Sequence, residues 1–523
     1  MKQKIIVNTL MFIFMLLFIS FFQNVFGVSN KMVGITVLII GLGICEKDLT
    51  YNLGLLVVRL LCFLLAMGIF SYLSLLNPIL GFILNFSFIF YATYAMVEGN
   101  KKPYHFPFVL GYLFLIFLSP SAPTDLPGRL IALIGGAFLI VGLQWLFNHK
   151  TYDKVLNSRL DQVLNQLIHR LERLLAKDSG SCEEEVHALK ASMGRFMKAI
   201  YERFGTNGSF NKEGVEQVTH MVAYEKMYYL LDEVAKDYEA GLIDDETIED
   251  LIVFIKEHRG GHHAYSGVSM FDQGATSVKE LKQVLLVLQT AERDEYSHDQ
   301  RTLWEQFLKP IDRESYAFKF AMRLSILLSV CLFISQLFGL SYGRWLCFTI
   351  AALVQPDAES SHKKTIERLI GTGVGATIFV ALITIFKEES QQMIIVLLSS
   401  YIGMYMNRYD FKMIFITIQA LGGALLTATG SIVIGNRLFY IVVGAVIAYL
   451  GNKWLFPIRR KDIKEHYIDL YEQQKNHLIK TPQNNPHEAI VDAYHYLEMG
   501  KLEDEKYSEW LDVSFEALVR AQS

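Results

Sequence analysis

The chain has 523 residues, 52% of them hydrophobic, and a formal net charge of −4. Soluble domains hold about 45–50% apolar residues, so the excess is modest and has to be local. It is concentrated in residues 1–150 and 317–457, in runs of about 15–22 residues that match the ~30 Å hydrocarbon core of a bilayer, and this excludes a wholly soluble chain.

In chain order, the first run, Ile5 to Phe26, lacks a small-residue cleavage site and is followed at once by more apolar runs. It reads as a retained first helix rather than a signal peptide. Residues 1–150 read as a first transmembrane half with six spans, near 5–27, 32–45, 53–74, 78–97, 106–119 and 129–148. Lys2 and Lys4, Lys47, Lys101 and Lys102, and Lys150 and Lys154 fall at the N-terminus and after even-numbered spans, whereas the opposite loops carry little more than Lys31. The positive-inside rule then places the N-terminus, and whatever follows the sixth span, in the cytoplasm.

Residues 151–316 form a polar insert with 20 basic and 30 acidic side chains. That balance argues against nucleic acid or anionic lipid as a partner. Leu160, Val163, Leu164, Leu167, Ile168, Leu171, Leu174 and Leu175 recur at helical spacing, and glycine-bearing breaks stand at 205–208 and 260–261. The expectation is a cytoplasmic helical bundle; a coiled-coil seam would show the same stripe and would make a homo-oligomer. Residues 317–457 read as a second half with spans near 317–339, 344–355, 366–386, 391–406, 411–430 and 437–456. Lys363, Lys364, Arg408, Lys412 and Arg459 to Lys461 again mark one side, and the charged helical tail, 458–523, lies on that same side.

The halves look like copies. Arg59-Leu60 with Ile69-Phe70 answers Arg368-Leu369 with Ile378-Phe379. Arg129-Leu130 with Gly136-Ala137 answers Arg437-Leu438 with Gly444-Ala445, and Trp145-Leu146-Phe147 answers Trp454-Leu455-Phe456 at the same separation to within one residue. The fold expected is an all-α polytopic membrane protein: two parallel six-helix transmembrane repeats separated by a cytoplasmic helical domain.

The sequence holds no P-loop, HExxH, GxSxG or metal-spaced Cys/His set, so neither an enzyme, a cofactor nor a metal is expected. Cys45, Cys62, Cys182, Cys331 and Cys347 are scattered and form no CxxC pair; they read as small packing residues. The arginines at span edges are more informative: Arg59, Arg129, Arg323, Arg368 and Arg437. Arginine at mid-bilayer costs about 2.5–3.5 kcal/mol, so each either snorkels to headgroups or faces the protein interior. An interior guanidinium fork suits a carboxylate, which makes these arginines candidate contacts for an organic anion. Gln355 and Gln419 either hydrogen-bond a neighbouring helix or line a polar cavity. Gly371, Gly373, Gly375, Gly422 and Gly423 would let helices approach closely.

The second half resembles the fusaric acid resistance family of integral membrane transporters, which are related to aromatic acid exporters. The resemblance runs through Ala321-Met322-Arg323, Tyr342-Gly343-Arg344-Trp345, Thr349, Gln355-Pro356, Thr365-Ile366-Glu367-Arg368, Gly371-Thr372, Gly375-Ala376, Arg437 to Gly444, and Trp454 to Pro457. The first half departs from it: Gly43-Ile44-Cys45-Glu46 stands where Gln-Pro would be, and Cys62 where Gly371 is. The resemblance implies export of small aromatic or other organic acids across a bacterial inner membrane, driven by the proton gradient. The partners implied are a small organic anion and the lipid bilayer. Arg368 is the first candidate contact, followed by Arg323, Arg437 and Arg59, with Gln355, Thr372 and Gln419 beside them; Gly371, Gly375, Gly422 and Gly444 are the helix-packing candidates. A passive organic-anion channel and a non-transporting membrane scaffold or stress-response protein are the competing readings.

Overall fold

The computed structural model describes residues 2–45, 49–97, 104–149, 151–177, 194–197, 199–201, 212–259, 276–291, 311–340, 342–425, 430–480, 486–501 and 504–522. Lys47, Lys101, Lys102, Lys150, Cys182 and the breaks at 205–208 and 260–261 lie outside the described residues. All the described regular structure is helical, and the chain divides into two compact units.

The first unit comprises residues 1–46, 56–143 and 309–463. Its helices are α1 (Lys2–Phe26), α2 (Lys31–Ile44), α3 (Leu53–Leu73), α4 (Pro78–Val97), α5 (His105–Phe117) and α6 (Leu126–Asn148). After the second unit's insert, the chain returns with α7 (Tyr316–Leu337), α8 (Gly343–Leu353), α9 (Ala358–Ile385), α10 (Glu389–Gly403), α11 (Tyr409–Leu425) and α12 (Gly430–Trp454). Leu10, Leu17, Ile79, Ile83, Ile131, Phe138, Ile385, Met393, Phe439 and Val442 are exposed. So many large apolar side chains facing outward mark a surface solvated by lipid tails, not water.

The expectation of two six-helix repeats is corrected here. Among the described residues, six helices are long and apolar enough to cross a membrane: 4–26, 53–73, 78–97, 126–148, 316–337 and 358–385. Four of these lie before the insert and two after it. The apolar runs at α2, α5 and α8 form helices of 14, 13 and 11 residues. At 1.5 Å per residue they rise only about 16–21 Å, short of a ~30 Å core. Helix α10 has 15 residues and falls short for the same reason. The 25-residue α12 has the length, but Asn436, Arg437 and Asn452 interrupt its apolar run. A window of apolar residues marks burial from water; it does not separate a span from a short helix packed inside the protein.

Close approaches hold this unit together. Helix α4 runs antiparallel to α7, with Phe82 against Phe333 and Phe90 against Phe318. The Tyr316 hydroxyl donates to the Val97 carbonyl at 3.3 Å, and Tyr94 accepts from the Asp312 amide at 2.9 Å. Helices α9 and α11 run side by side along Gly371 and Gly375. A Cβ on Gly371 would sit 2.5 Å from the Asp410 carbonyl oxygen, and one on Gly375 would sit 2.7 Å from that of Ile414. Beyond them Ala376, Phe379, Ile418 and Leu421 close the seam. Gly444 of α12 meets Thr349 of α8 in the same way, and Gly422 of α11 meets Val396 of α10. Gly373, two residues from either seam glycine, faces open space.

The second unit comprises residues 47–55, 144–308 and 464–523. Its helices are α13 (Thr151–Leu175), α14 (Lys212–Glu239), α15 (Asp245–Arg259), α16 (Thr276–Ala291), α17 (Arg460–Lys480), α18 (Pro486–Gly500) and α19 (Asp504–Gln522), numbered here after the first unit. Val163, Leu164, Leu167 and Leu171 of the α13 stripe are buried in one core with α14 to α16 and with Tyr471, Ile490, Tyr494, Trp510 and Leu518 of the tail. Trp510 Nε1 donates to the Ile490 carbonyl at 3.1 Å, Tyr507 donates to the buried Glu225 carboxylate, and Lys226 pairs with Asp512 at 2.8 Å. Insert and tail therefore fold as one helical body. Lys475 and Lys506 both bond the Glu509 carboxylate, holding its pKa below the ordinary carboxylate range.

Gly371→Ala and Gly375→Ala should each lower the stability of the purified protein by about 1–3 kcal/mol, the usual cost of overpacking. Gly373→Ala should be neutral or slightly stabilising, since it only removes backbone freedom. Thermal unfolding in detergent separates the two cases, and equal losses at all three positions would refute the seam.

Candidate functional site: a cationic cavity in the first unit

The site starts from a break in the chain. Helix α8 stops at Leu353 because Pro356 disfavours helical geometry at Gln355 and cannot continue the hydrogen-bond ladder. Helix α9 restarts at once, capped by Asp357, whose side chain accepts from the Ser360 amide at 2.7 Å. The carbonyls at the end of α8 then need donors in an apolar setting. Arg323 supplies them: Nη2 donates to the Gln355 and Pro356 carbonyls at 2.6 and 2.8 Å, and Nη1 to the Phe456 carbonyl at 3.2 Å. Ser361 donates to the Leu353 carbonyl at 2.6 Å and is itself held by Asn452. The turn is thus fixed from α7, α9 and α12.

One face of α8, carrying Arg344, Trp345, Phe348, Thr349 and Ala352, looks with Gln355 of the turn that follows into a cavity of about 980 Å³. Phe106, Leu110, Phe114 and Phe117 of α5 form the facing wall, while α9 contributes Lys364 and Arg368, α11 contributes Tyr409, Lys412 and Met413, and α12 contributes Arg437. The volume lies within the 300–1,000 Å³ range of small-molecule sites, and the lining is mostly apolar with a few convergent polar groups. Five of those groups are Lys or Arg side chains, and none of the lining residues is Asp or Glu.

The cations sit in two sets. Lys364 Nζ donates to Gln355 Oε1 at 2.7 Å, and Arg368 Nη1 donates to Tyr409 Oη at 3.2 Å and contacts Met413 Sδ at 3.8 Å. In the other set, the guanidiniums of Arg437 and Arg344 stand over the Trp345 ring at 4.1 and 5.2 Å. Arg437 is 3% exposed and Arg368 8%. Nε and Nη1 of Arg437, Nε of Arg368, Nε of Arg344 and Nε1 of Trp345 meet no hydrogen-bond partner among the described residues. Burying donors unpaired costs about 1–3 kcal/mol each, more when charged. A set of them around one cavity is what an anion-binding site presents.

Of the residues singled out from the sequence, Arg368, Arg437 and Gln355 line the cavity. Arg323 holds the turn from behind. Arg59 lies instead with Tyr91 and Tyr104. Thr372 is buried on α9 outside the lining, and Gln419 packs beside Gly403. From the sequence, Lys364 and Lys412 mark only one side of the membrane and Arg344 only belongs to a motif; none of the three, nor His105 or the aromatic wall of α5, reads as an anion contact. The spacing of Phe106, Leu110, Phe114 and Phe117 is a helical face legible in the sequence, but nothing in it says that α8 stands opposite.

Residues 330–451 match the family described as fusaric acid resistance protein-like. This is a polytopic membrane protein with a fusaric acid resistance protein-like segment. That segment supplies Arg344, Arg368, Lys412 and Arg437 to the cavity; His105 and Arg323 lie outside it. The chain is 25% identical over 161 residues to an uncharacterized protein, ORF2, of Neisseria gonorrhoeae, covering 30% of this chain and 38% of that one. It is 24% identical over 296 residues to an uncharacterized protein of Haemophilus influenzae, covering 56% and 36%. It is 25% identical over 166 residues to the inner membrane protein YccS of Escherichia coli, covering 31% and 23%. Each alignment spans less than two-fifths of the relative's length. No solved structure matches.

Arg323→Met should remove three charge-assisted hydrogen bonds from the Gln355-Pro356 turn and strand their acceptors, at about 1.5–3 kcal/mol for each bond. Thermal unfolding of the purified protein should show a large drop in Tm. A drop no greater than that of Arg344→Met, whose side chain holds no turn, would refute the clamp.

Proposed function

We propose that this protein transports small organic anions with an aromatic or apolar body across a bacterial inner membrane, through the α5–α8–α9–α11–α12 cavity. One observation carries the reading: five cationic side chains and a wall of aromatic rings line the cavity without a carboxylate. A chain built to pass cations would place acidic groups there, and one built for neutral solutes would not bear the cost of desolvating guanidiniums. The aromatic faces of Phe106, Phe114, Trp345 and Phe348 offer stacking surface to a ring, and the arginine forks offer paired donors to a carboxylate or sulfonate. Export is the direction that the description of the matched family supports.

Arg368 is the contact to test first. In proteoliposomes holding the purified protein, Arg368→Ala should slow benzoate transport by about 10- to 100-fold, the worth of one charge-assisted hydrogen bond. Arg368→Lys should recover part of that loss, since it keeps the charge and loses the fork. If both variants move every aromatic acid tested at the wild-type rate, Arg368 has no such role.

A further inference from the structure

His105 opens α5, lines the cavity and is 3% exposed. Neither of its ring nitrogens meets a hydrogen-bond partner among the described residues. Its ring lies edge-on to Phe320 at 5.1 Å. A buried imidazole gives up its bonds to water, and buried polar groups in folded proteins are nearly always paired. Packing does not explain this one, because a phenylalanine would fill the space without the penalty.

The charges facing His105 are almost all positive. Lys364 and Arg368 of α9, Arg344 of α8, Lys412 of α11 and Arg437 of α12 line the same cavity, with the Tyr409 phenol. Behind it, the Arg323 guanidinium of α7 stands 5.7 Å from the Phe320 ring. Towards α3 and α4, Arg59 interacts with Tyr91 and with Tyr104, the residue preceding His105. The carboxylates of Asp357 and Glu367 act on Lys364 and do not line the cavity. A further positive charge, on the imidazole, is therefore disfavoured while these cations face it alone. An anion among them reverses the local field and favours the imidazolium. Histidine is also the lining residue type whose ordinary pKa, about 6.5, lies in the physiological range.

We propose that His105 is the proton-binding residue of the cavity: it takes up one proton from solvent as an organic anion binds and returns it as the anion leaves. The proposal rests on the anion reading of the cavity. The only bond formed is N–H on the free ring nitrogen, and imidazole plus proton gives imidazolium. By linkage, the proton tightens anion binding by the same factor that the anion tightens proton binding. Acidification of the side that loads the cavity therefore fills it, which suits a protein handling the anions of weak acids.

The test uses benzenesulfonate, a strong-acid anion, so that any pH dependence belongs to the protein. Its binding to the purified full-length protein is measured by calorimetry at about pH 5.5, 6.5 and 7.5, spanning the ordinary imidazole pKa. The Kd should fall by about 3- to 10-fold for each pH unit lowered, approaching the limit for one linked proton. Calorimetry in two buffers of different ionisation enthalpy should show up to about one proton taken up per anion bound. His105→Gln should bind with a Kd that no longer changes with pH. Wild-type binding with a flat Kd and no proton uptake overturns the role of His105 and leaves the anion cavity standing, as does a pH slope retained in His105→Gln. If the wild type binds no benzenesulfonate at any pH, the cavity reading fails and this proposal with it. Should His105→Gln not fold, the two-buffer measurement on the wild type decides alone.

Discussion

A guanidinium buried among apolar helices must find acceptors, and the first unit answers that constraint in two ways. Arg323 finds backbone carbonyls, at the one place where the α8–α9 break leaves them unpaired. Its charge is spent on the fold. Arg437, equally buried, finds the face of Trp345 and leaves Nε and Nη1 unpaired. Its charge is left over. The same contrast separates a structural cation from one available to a ligand, and it depends on partners rather than depth.

The rest of the unit makes that contrast sustainable. The seam at Gly371 and Gly375 brings α9 against α11 closely enough for Arg368 to reach Tyr409 and Met413. The approach of Gly444 to Thr349 brings α12 against α8, and so Arg437 over Trp345. Short α5 and α8 wall the cavity from both sides, with Phe348 packing edge-on to Phe114 and Phe117. Helices of 11 and 13 residues do not need to reach both faces of a membrane to do this.

Much of this was legible in the residues, and the shortfalls have physical causes. The all-helical membrane character followed from apolar run length, and Gln355-Pro356 announced the break that organises the site. Arg368 and Arg437 stood out because arginine beside a long apolar run is costly. The number of spans did not follow, because Val33 to Ile44, Phe106 to Phe117 and Leu346 to Leu353 are as apolar as a span yet too short to be one. Arg323 carried the same sequence signal as Arg437; only the positions of the Gln355, Pro356 and Phe456 carbonyls tell them apart. Gly373 read as part of a stripe with Gly371 and Gly375, but a helix turns 100° per residue and points it elsewhere. His105, next to Tyr104 and Phe106, carried no signal, since its significance lies in Lys364, Arg344 and Arg437, hundreds of residues away in sequence.

The central claim is that the cavity bounded by α5, α8, α9, α11 and α12 holds an organic anion by its leftover cations. An experimental structure of the full chain with 4-iodobenzoate tests it most directly, because the iodine marks the ring unambiguously. The account predicts the carboxylate within hydrogen-bonding distance of Arg368 or Arg437 and the iodinated ring against Phe114, Trp345 or Phe348. Iodobenzoate bound only outside this cavity, with the cavity itself unfilled at saturating concentration, would contradict it.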